Sequence, residues 1–183
     1  MGKTILVIAV SADGYVAGVH DETDWLDQFD DPGDAGFDTF IPTVGAIIMG
    51  KRSYNIGVEH DWFKNMNETY GPSPVFVVCK EKPVNPSNEA DFRFVTNGIE
   101  SAHQRAVEAA GDKNVYVFGG PSIVQQLLEK NLLDELHLHY VPILLGQGIP
   151  LFANMSERRI QLKRLDVKAF PKGLASIYYR VVK

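Results

Sequence analysis

The sequence predicts an α/β protein with a mixed, mostly parallel sheet, and three observations carry that expectation. Four short apolar runs, Thr4–Val10, Ala46–Met49, Pro74–Cys79 and Val115–Phe118, are continuous rather than alternating, the pattern of strands buried on both faces. Stretches of helical periodicity lie between and after them. The last third alternates instead and contains a Pro/Gly turn, the mark of antiparallel strands.

The elements follow in order. In Ile99–Ala110, the apolar residues Ile99, Ala102, Ala106, Val107 and Ala110 share one face, and Gly111 is placed to end the helix. Pro121–Lys130 opens with Pro where a first helical turn tolerates it and repeats Ile123, Val124, Leu127 and Leu128 along one stripe. Leu136–Val141 alternates. Ile160–Phe170 and Leu174–Val182 are joined by Pro171-Lys172-Gly173, so the sheet is expected to finish in an antiparallel hairpin. Gly18–Gly33, Ile56–Ser73 and Lys82–Asp91 read as surface loops bordering a cleft.

The 183 residues, 45% hydrophobic and 22% charged with a net charge of −5, fit one globular domain and exclude a disordered chain. Lys and Arg form no long block, so nucleic acid is not an expected partner. No apolar stretch is long enough to cross a bilayer, and Met1-Gly2-Lys3 leads straight into a strand without the regions of a signal peptide; a cytoplasmic location is expected, with no membrane partner. The single cysteine, Cys79, lies in an apolar run and is expected to be buried.

Two segments have the chemistry of an anion cradle. Met49-Gly50 ends a strand and Lys51-Arg52-Ser53 follows; Gly119-Gly120 ends another, and Pro121-Ser122 starts a helix. Ligands collect beyond the carboxyl ends of parallel strands, where helix N-termini present unpaired N–H groups, and glycine lets a phosphate approach the backbone. There is no Gly-x-Gly-x-x-Gly after the first strand, no Walker A sequence, no His-Glu-x-x-His and no Gly-x-Ser-x-Gly, which disfavours standard Rossmann, P-loop, metalloprotease and hydrolase chemistries. His137 and His139 share a strand face but have no third ligand at suitable spacing, so no metal is expected.

A third pattern, Ser11-Ala12-Asp13-Gly14-Tyr15-Val16-Ala17-Gly18, closes the first strand. Together with Asp24-Trp25-Leu26, Ile48–Tyr54, Val117–Pro121 and Pro142–Gly148, it resembles the dihydrofolate reductase-like superfamily nearly end to end. The likeness is nearest to the branch of the riboflavin-biosynthesis reductase C-terminal domain and its stand-alone relatives. That resemblance implies a three-layer α/β/α fold and an NADPH-dependent reductase that passes a hydride to a pteridine- or pyrimidine-like ring, as 5-amino-6-(5-phosphoribosylamino)uracil reductase does. True dihydrofolate reductase activity, or a nucleotide-binding module without efficient turnover, are the alternatives.

The resemblance also implies a site. Ala9, Ala17 and Gly119 flank the nicotinamide; Gly50, Lys51, Arg52 and Ser53 meet the phosphates; Gly120, Pro121, Ser122, Ile123 and Val124 meet the pyrophosphate. Arg52 and Lys80 are the candidates for the 2′-phosphate. Asp13 and Ser11 lie where a proton would be delivered through water, although an Asp before Gly14 also serves as a turn former. Asp24, Trp25, Asp38, Phe40 and Tyr54 are the substrate-side candidates, with Asp30 and Asp34 as alternative carboxylates. Val19–Asp34 holds no Lys or Arg, which counts against a phosphorylated aminopyrimidine as substrate. A homodimer paired through the C-terminal strands is expected by likeness.

Overall fold

A computed structural model describes residues 2–29, 36–153, 155–156 and 159–183. Strand β1 (Thr4–Ser11) turns into β2 (Tyr15–Ala17), followed by a 3₁₀ turn at Asp24–Phe29 and the short helix α1 (Phe37–Phe40). Then come β3 (Val44–Gly50), α2 (Lys51–Glu59), α3 (Met66–Tyr70), β4 (Val75–Val78), β5 (Phe92–Val95) and α4 (Ile99–Ala110). The chain continues through β6 (Asn114–Gly119), α5 (Pro121–Glu129), β7 (Glu135–Val141), β8 (Ile149–Pro150), β9 (Leu162–Ala169) and β10 (Ala175–Val181).

Eight strands form one sheet in the order β5-β4-β3-β6-β1-β7-β10-β9, with β2 and β8 paired separately. From β5 to β7 the neighbours are parallel, while β10 runs antiparallel to both β7 and β9. The mixed sheet and its terminal hairpin are therefore as expected. Alternate residues of each central strand feed two cores. Leu6, Val10, Ala46, Ile48, Val115 and Val117 pack against the apolar stripes of α4 and α5. Ile5, Val7, Ile47, Met49, Val75 and Val77 pack on the opposite face with Phe40, Tyr54, Phe63 and Met66. Strands covered on both faces have no polar face to alternate with, which is why their sequences are continuous apolar runs.

Three details differ from expectation. β7 alternates yet is parallel to β1 on one side and antiparallel to β10 on the other; the alternation is one of residue type and not of exposure, since His139 is buried along with Leu136 and Leu138. β5 has no apolar run because an edge strand with Arg93 exposed buries only part of its surface. Ile56–Ser73 is not all loop: α2 continues to Glu59, and Phe63 then packs so closely on α2 that a Cβ at Gly57 would lie 2.3 Å from its ring.

The half-buried histidines His103 and His137 connect the fold to pH. Burial holds the His137 imidazole below its ordinary range, opposed by Glu135 3.3 Å away, and burial likewise lowers His103, opposed by Asp134. Groups whose native pKa is depressed in this way bind more protons unfolded than folded, so their stabilisation is complete at neutral pH and is lost as pH falls below about 6.5. The melting temperature is expected to be flat above about pH 7 and to drop on the acid side, less steeply in a His103→Gln/His137→Gln double variant. Calorimetry across that range checks this; an equally steep drop in the double variant would refute it.

Candidate functional site

The geometry of the site begins with the parallel pairing of β3 and β6, which sets Met49 opposite Gly119. Each strand is followed at once by a helix, so the N-termini of α2 and α5 lie side by side, with Gly50 and Gly120 as their caps. A Cβ on Gly50 would lie 3.0 Å from Ile123 and one on Gly120 3.3 Å from the Ser53 hydroxyl, so each turn closes against the other's helix. Neither helix has a side-chain cap or an acidic residue in its first turn among the described residues. The first-turn N–H groups and the positive ends of both helix dipoles are left without a protein anion.

These turns open onto a cleft of about 600 Å³ along the carboxyl edge of the sheet. Gly50, Lys51, Arg52, Ser53, Gly120, Pro121, Ser122, Ile123, Ala17 and Lys80 all line it, so most of the expected cofactor residues come together. Ala9, Gly119 and the fully buried Val124 do not line it. Cys79 is buried, as expected, with its thiol 3.8 Å from the Val95 carbonyl.

The cleft is electrically uneven. At its β4–β5 end, the Lys51 ammonium sits 4.7 Å over the Tyr54 ring and 5.6 Å over that of Phe94, and Lys80 extends from the end of β4 beside Thr96 and Gly98. Arg52 turns the other way, to a 2.7 Å ion pair with Asp21, whose hydrogen bond and charge raise its pKa. Asp21 reaches it from the loop after β2, held in the left-handed region at φ 68°.

Ser11 and Asp13 do not line the cleft. The buried Ser11 hydroxyl donates to Asp13 at 2.6 Å and accepts from the Tyr15 N–H at 2.9 Å. Asp13 also accepts from the N–H groups of Gly146 at 2.7 Å and Leu145 at 3.2 Å. The Ser11 hydroxyl first, then these backbone donors, hold its carboxyl below the usual range. Ala12 donates to the Ile143 carbonyl and Leu151 to that of Gly14, so the β1–β2 turn is stitched to the loop before β8. Gly148 makes that approach possible: a Cβ there would fall 2.3 Å from the Ala17 carbonyl oxygen. The geometry makes Asp13 a clasp that positions β2, and with it the cleft wall at Val16 and Ala17.

None of the five substrate-side candidates lines the cleft. Phe40 is core, edge-on to Tyr116 at 5.4 Å. Tyr54 is buried against Phe63, Phe92 and Phe94, its hydroxyl accepting from the Ser87 N–H. Trp25 is buried, its indole N–H donating to the Glu22 carbonyl, and Asp24 and Asp38 are exposed. Asp30 and Asp34 lie outside the described residues. The cleft is lined instead by Asp21, Thr23, Ile56 and Trp62, which sequence patterns did not single out. Trp62, 45% exposed in a stretch of otherwise mostly polar loop, was the signal available.

With this geometry in place, comparison with known proteins is direct. The family model of the RibD C-terminal domain matches residues 3–176. The chain belongs to that family. Among its relatives, the RibD-family chain is 30% identical over 182 residues to the uncharacterized protein YwjB of Bacillus subtilis, covering 97% of this chain and 98% of that one. A candidate riboflavin biosynthesis protein from Shewanella sp. PV-4 has a similar structure, with TM-score 0.84, 26% identity and 99% of both chains covered. A deaminase/5-amino-6-(5-phosphoribosylamino)uracil reductase from Thermotoga maritima shares the fold at TM-score 0.72 and 13% identity, over 99% of this chain and 57% of that one. The three-layer architecture is the dihydrofolate reductase-like fold.

The clasp makes a prediction. Asp13→Asn is expected to lower the melting temperature and to speed hydrogen exchange at the amides of Leu145 and Gly146, the latter because two N–H groups lose a charged acceptor. Unchanged exchange at both amides would show that the clasp does not hold in solution. Because the carboxyl is depressed in the fold, the same loosening is expected in the wild type as acid protonates Asp13, below the usual Asp range near pH 4.

Proposed function

We propose that this protein is an NADPH-dependent reductase that transfers a hydride to a flat nitrogen heterocycle. The observation that carries the reading is the pair of uncapped, glycine-fronted helix ends opening onto one cleft. Membership of the RibD C-terminal domain family supports it independently.

The donor set fits a dinucleotide phosphate. Gly50 and Gly120 leave room for a pyrophosphate against the first-turn N–H groups of α2 and α5, where the Ser53 and Ser122 hydroxyls stand ready to donate. Pro121 has no N–H, so the main-chain donors of α5 begin at Ser122, and Ile123 packs against the Gly50 turn. Lys51 and Lys80, together at the β4–β5 end, suit the 2′-phosphate, and the exposed Arg52 can exchange its half-buried Asp21 partner for a ligand phosphate at little cost. Val16, Ala17 and Ile8 offer an apolar wall at the β1 end. NADPH, when bound, supplies a hydride to an electron-poor ring carbon of the acceptor, which also takes up a proton. The protein binds and orients the two partners and excludes water; Ser11 and Asp13 act by holding β2 in place.

NADPH at about a hundred times its dissociation constant adds about 2.7 kcal/mol of stability, which raises the melting temperature of a domain this size by about 5–10 °C. A Lys51→Ala/Lys80→Ala variant is expected to bind NADPH about tenfold more weakly with NADH binding unchanged. Absence of any thermal shift or fluorescence change with millimolar NADPH would overturn the reading.

Strand β9 supports a proposed assembly. All eight of its residues are exposed, including Leu162, Leu165 and Val167, on a strand with one edge unpaired among the described residues. A long edge strand with apolar side chains is the surface a second copy would cover, and a homodimer through the C-terminal strands is part of the proposal. Sedimentation equilibrium is expected to give twice the 20.3 kDa chain mass; a monomer mass would remove the dimer. Among the described residues, no helix is long and apolar enough to cross a membrane.

A further inference from the structure

The wall of the cleft opposite its lysines has its own chemistry. Arg52 and Ile56 stand one turn apart on the same face of α2. Trp62 folds back beyond the end of that helix, its N–H donating to the Gly57 carbonyl at 2.8 Å. Thr23 and Asp21 face them from the loop after β2. Trp62 is 45% exposed and lines the cleft, and its indole stacks on His60 with centroids 6.1 Å apart.

Charge separates this end from the other. Among the described residues lining the cleft, the cations are Lys51 and Lys80 at the β4–β5 end and Arg52, which is paired with Asp21. From Thr4 to Gly50 the sequence contains nine Asp or Glu and no Lys or Arg, so no part of the segment that carries Asp21 and Thr23 can supply another cation. Two arrangements of Arg52 lead to the same place. If it stays with Asp21, it is neutralised; if it turns to a phosphate, whether of the dinucleotide or of the acceptor, the Asp21 carboxylate is left unpaired beside whatever occupies this end.

Given the reductase reading above, on which this rests, we infer that Trp62, Ile56 and Thr23 form the acceptor end of the cleft. We infer further that it takes a planar heterocycle, neutral or cationic, without a phosphate group. The ring stacks on Trp62 against Ile56, Thr23 offers a hydroxyl, and Asp21 favours an amino or ring N–H group. A phosphate dianion in the same place can gain Arg52 only by displacing Asp21, and is then left beside that carboxylate. Trp62 and Asp21 are thus specificity-determining residues, distinct from the glycine turns that cradle the dinucleotide.

The test uses a matched pair, 5-amino-6-(ribitylamino)uracil and its 5′-phosphate, titrated by calorimetry into the full-length protein saturated with NADP⁺. The unphosphorylated compound is expected to bind at least about fivefold more tightly, the scale of one like-charge contact near water. Trp62→Ala is expected to weaken its binding about tenfold, the scale of a lost stacking surface, while Trp62→Phe retains most of it and NADP⁺ binding stays within about twofold in both. Thr23→Lys is expected to shift preference toward the phosphate. Retained NADP⁺ binding also reports that each variant is folded. If the phosphorylated compound binds more tightly to the wild type, if neither compound binds at millimolar concentration, or if Trp62→Ala changes nothing, this inference is overturned while the reductase reading stands. If the wild type does not bind NADP⁺ at all, the reading beneath it fails instead.

Discussion

The parallel pairing of β3 with β6 is the contact from which the site follows. It places Met49 against Gly119, and because each strand passes into a helix without an intervening loop, it brings two helix N-termini abreast at one edge of the sheet. The cradle is therefore made of main chain and is held by strand hydrogen bonds, not by flexible side chains. Side chains enter around it in a second role: Ser53 touches the Gly120 turn, Ile123 touches Gly50, and Lys51 is laid over the rings of Tyr54 and Phe94. The aromatic cluster that buries Tyr54 also aims that lysine, so the packing beneath α2 and the charge at the rim are one construction.

How much of this was legible in the sequence depends on what each residue's neighbours had to be. The central strands were readable because burial on both faces leaves no room for polar alternation, and α4 and α5 because each buries a single stripe. The glycine turns were readable because only small residues fit where one helix end closes on another. β5 was not, since an edge strand with Arg93 outward buries too little to show a pattern. Nor was the path of β7, whose two sides pair in opposite directions; nothing in a strand's own residues reports its partners' direction.

The acceptor wall was the least legible part. Phe40 and Tyr54 looked like stacking surface because aromatic residues beside a functional turn serve both packing and binding, and only burial separates the two. Trp62 was hidden in a loop whose shape depends on Phe63 filling the space beside Gly57. The carboxylates divided in a similar way. Asp13, adjacent to a turn glycine, spends its charge on the backbone of Leu145 and Gly146, whereas Asp21, in an unremarkable stretch of sequence, crosses the cleft to Arg52. Proximity along the chain favoured the first, and proximity in space the second.

The place of β1 at the centre of the sheet has a consequence for how the chain is made. Strand β1 pairs with β6 and β7, Thr4 with Val115 and Ile5 with Glu135, so it emerges from the ribosome long before either neighbour exists. Until then Leu6, Val7 and Val10 have no sheet to join, and α5, which helps to cover Leu6 and Val10, is still untranslated. A nascent chain stalled before Asn114 thus offers chaperones a bare apolar strand, and folding is held back to a late, largely cooperative step in which centre and flanks assemble together.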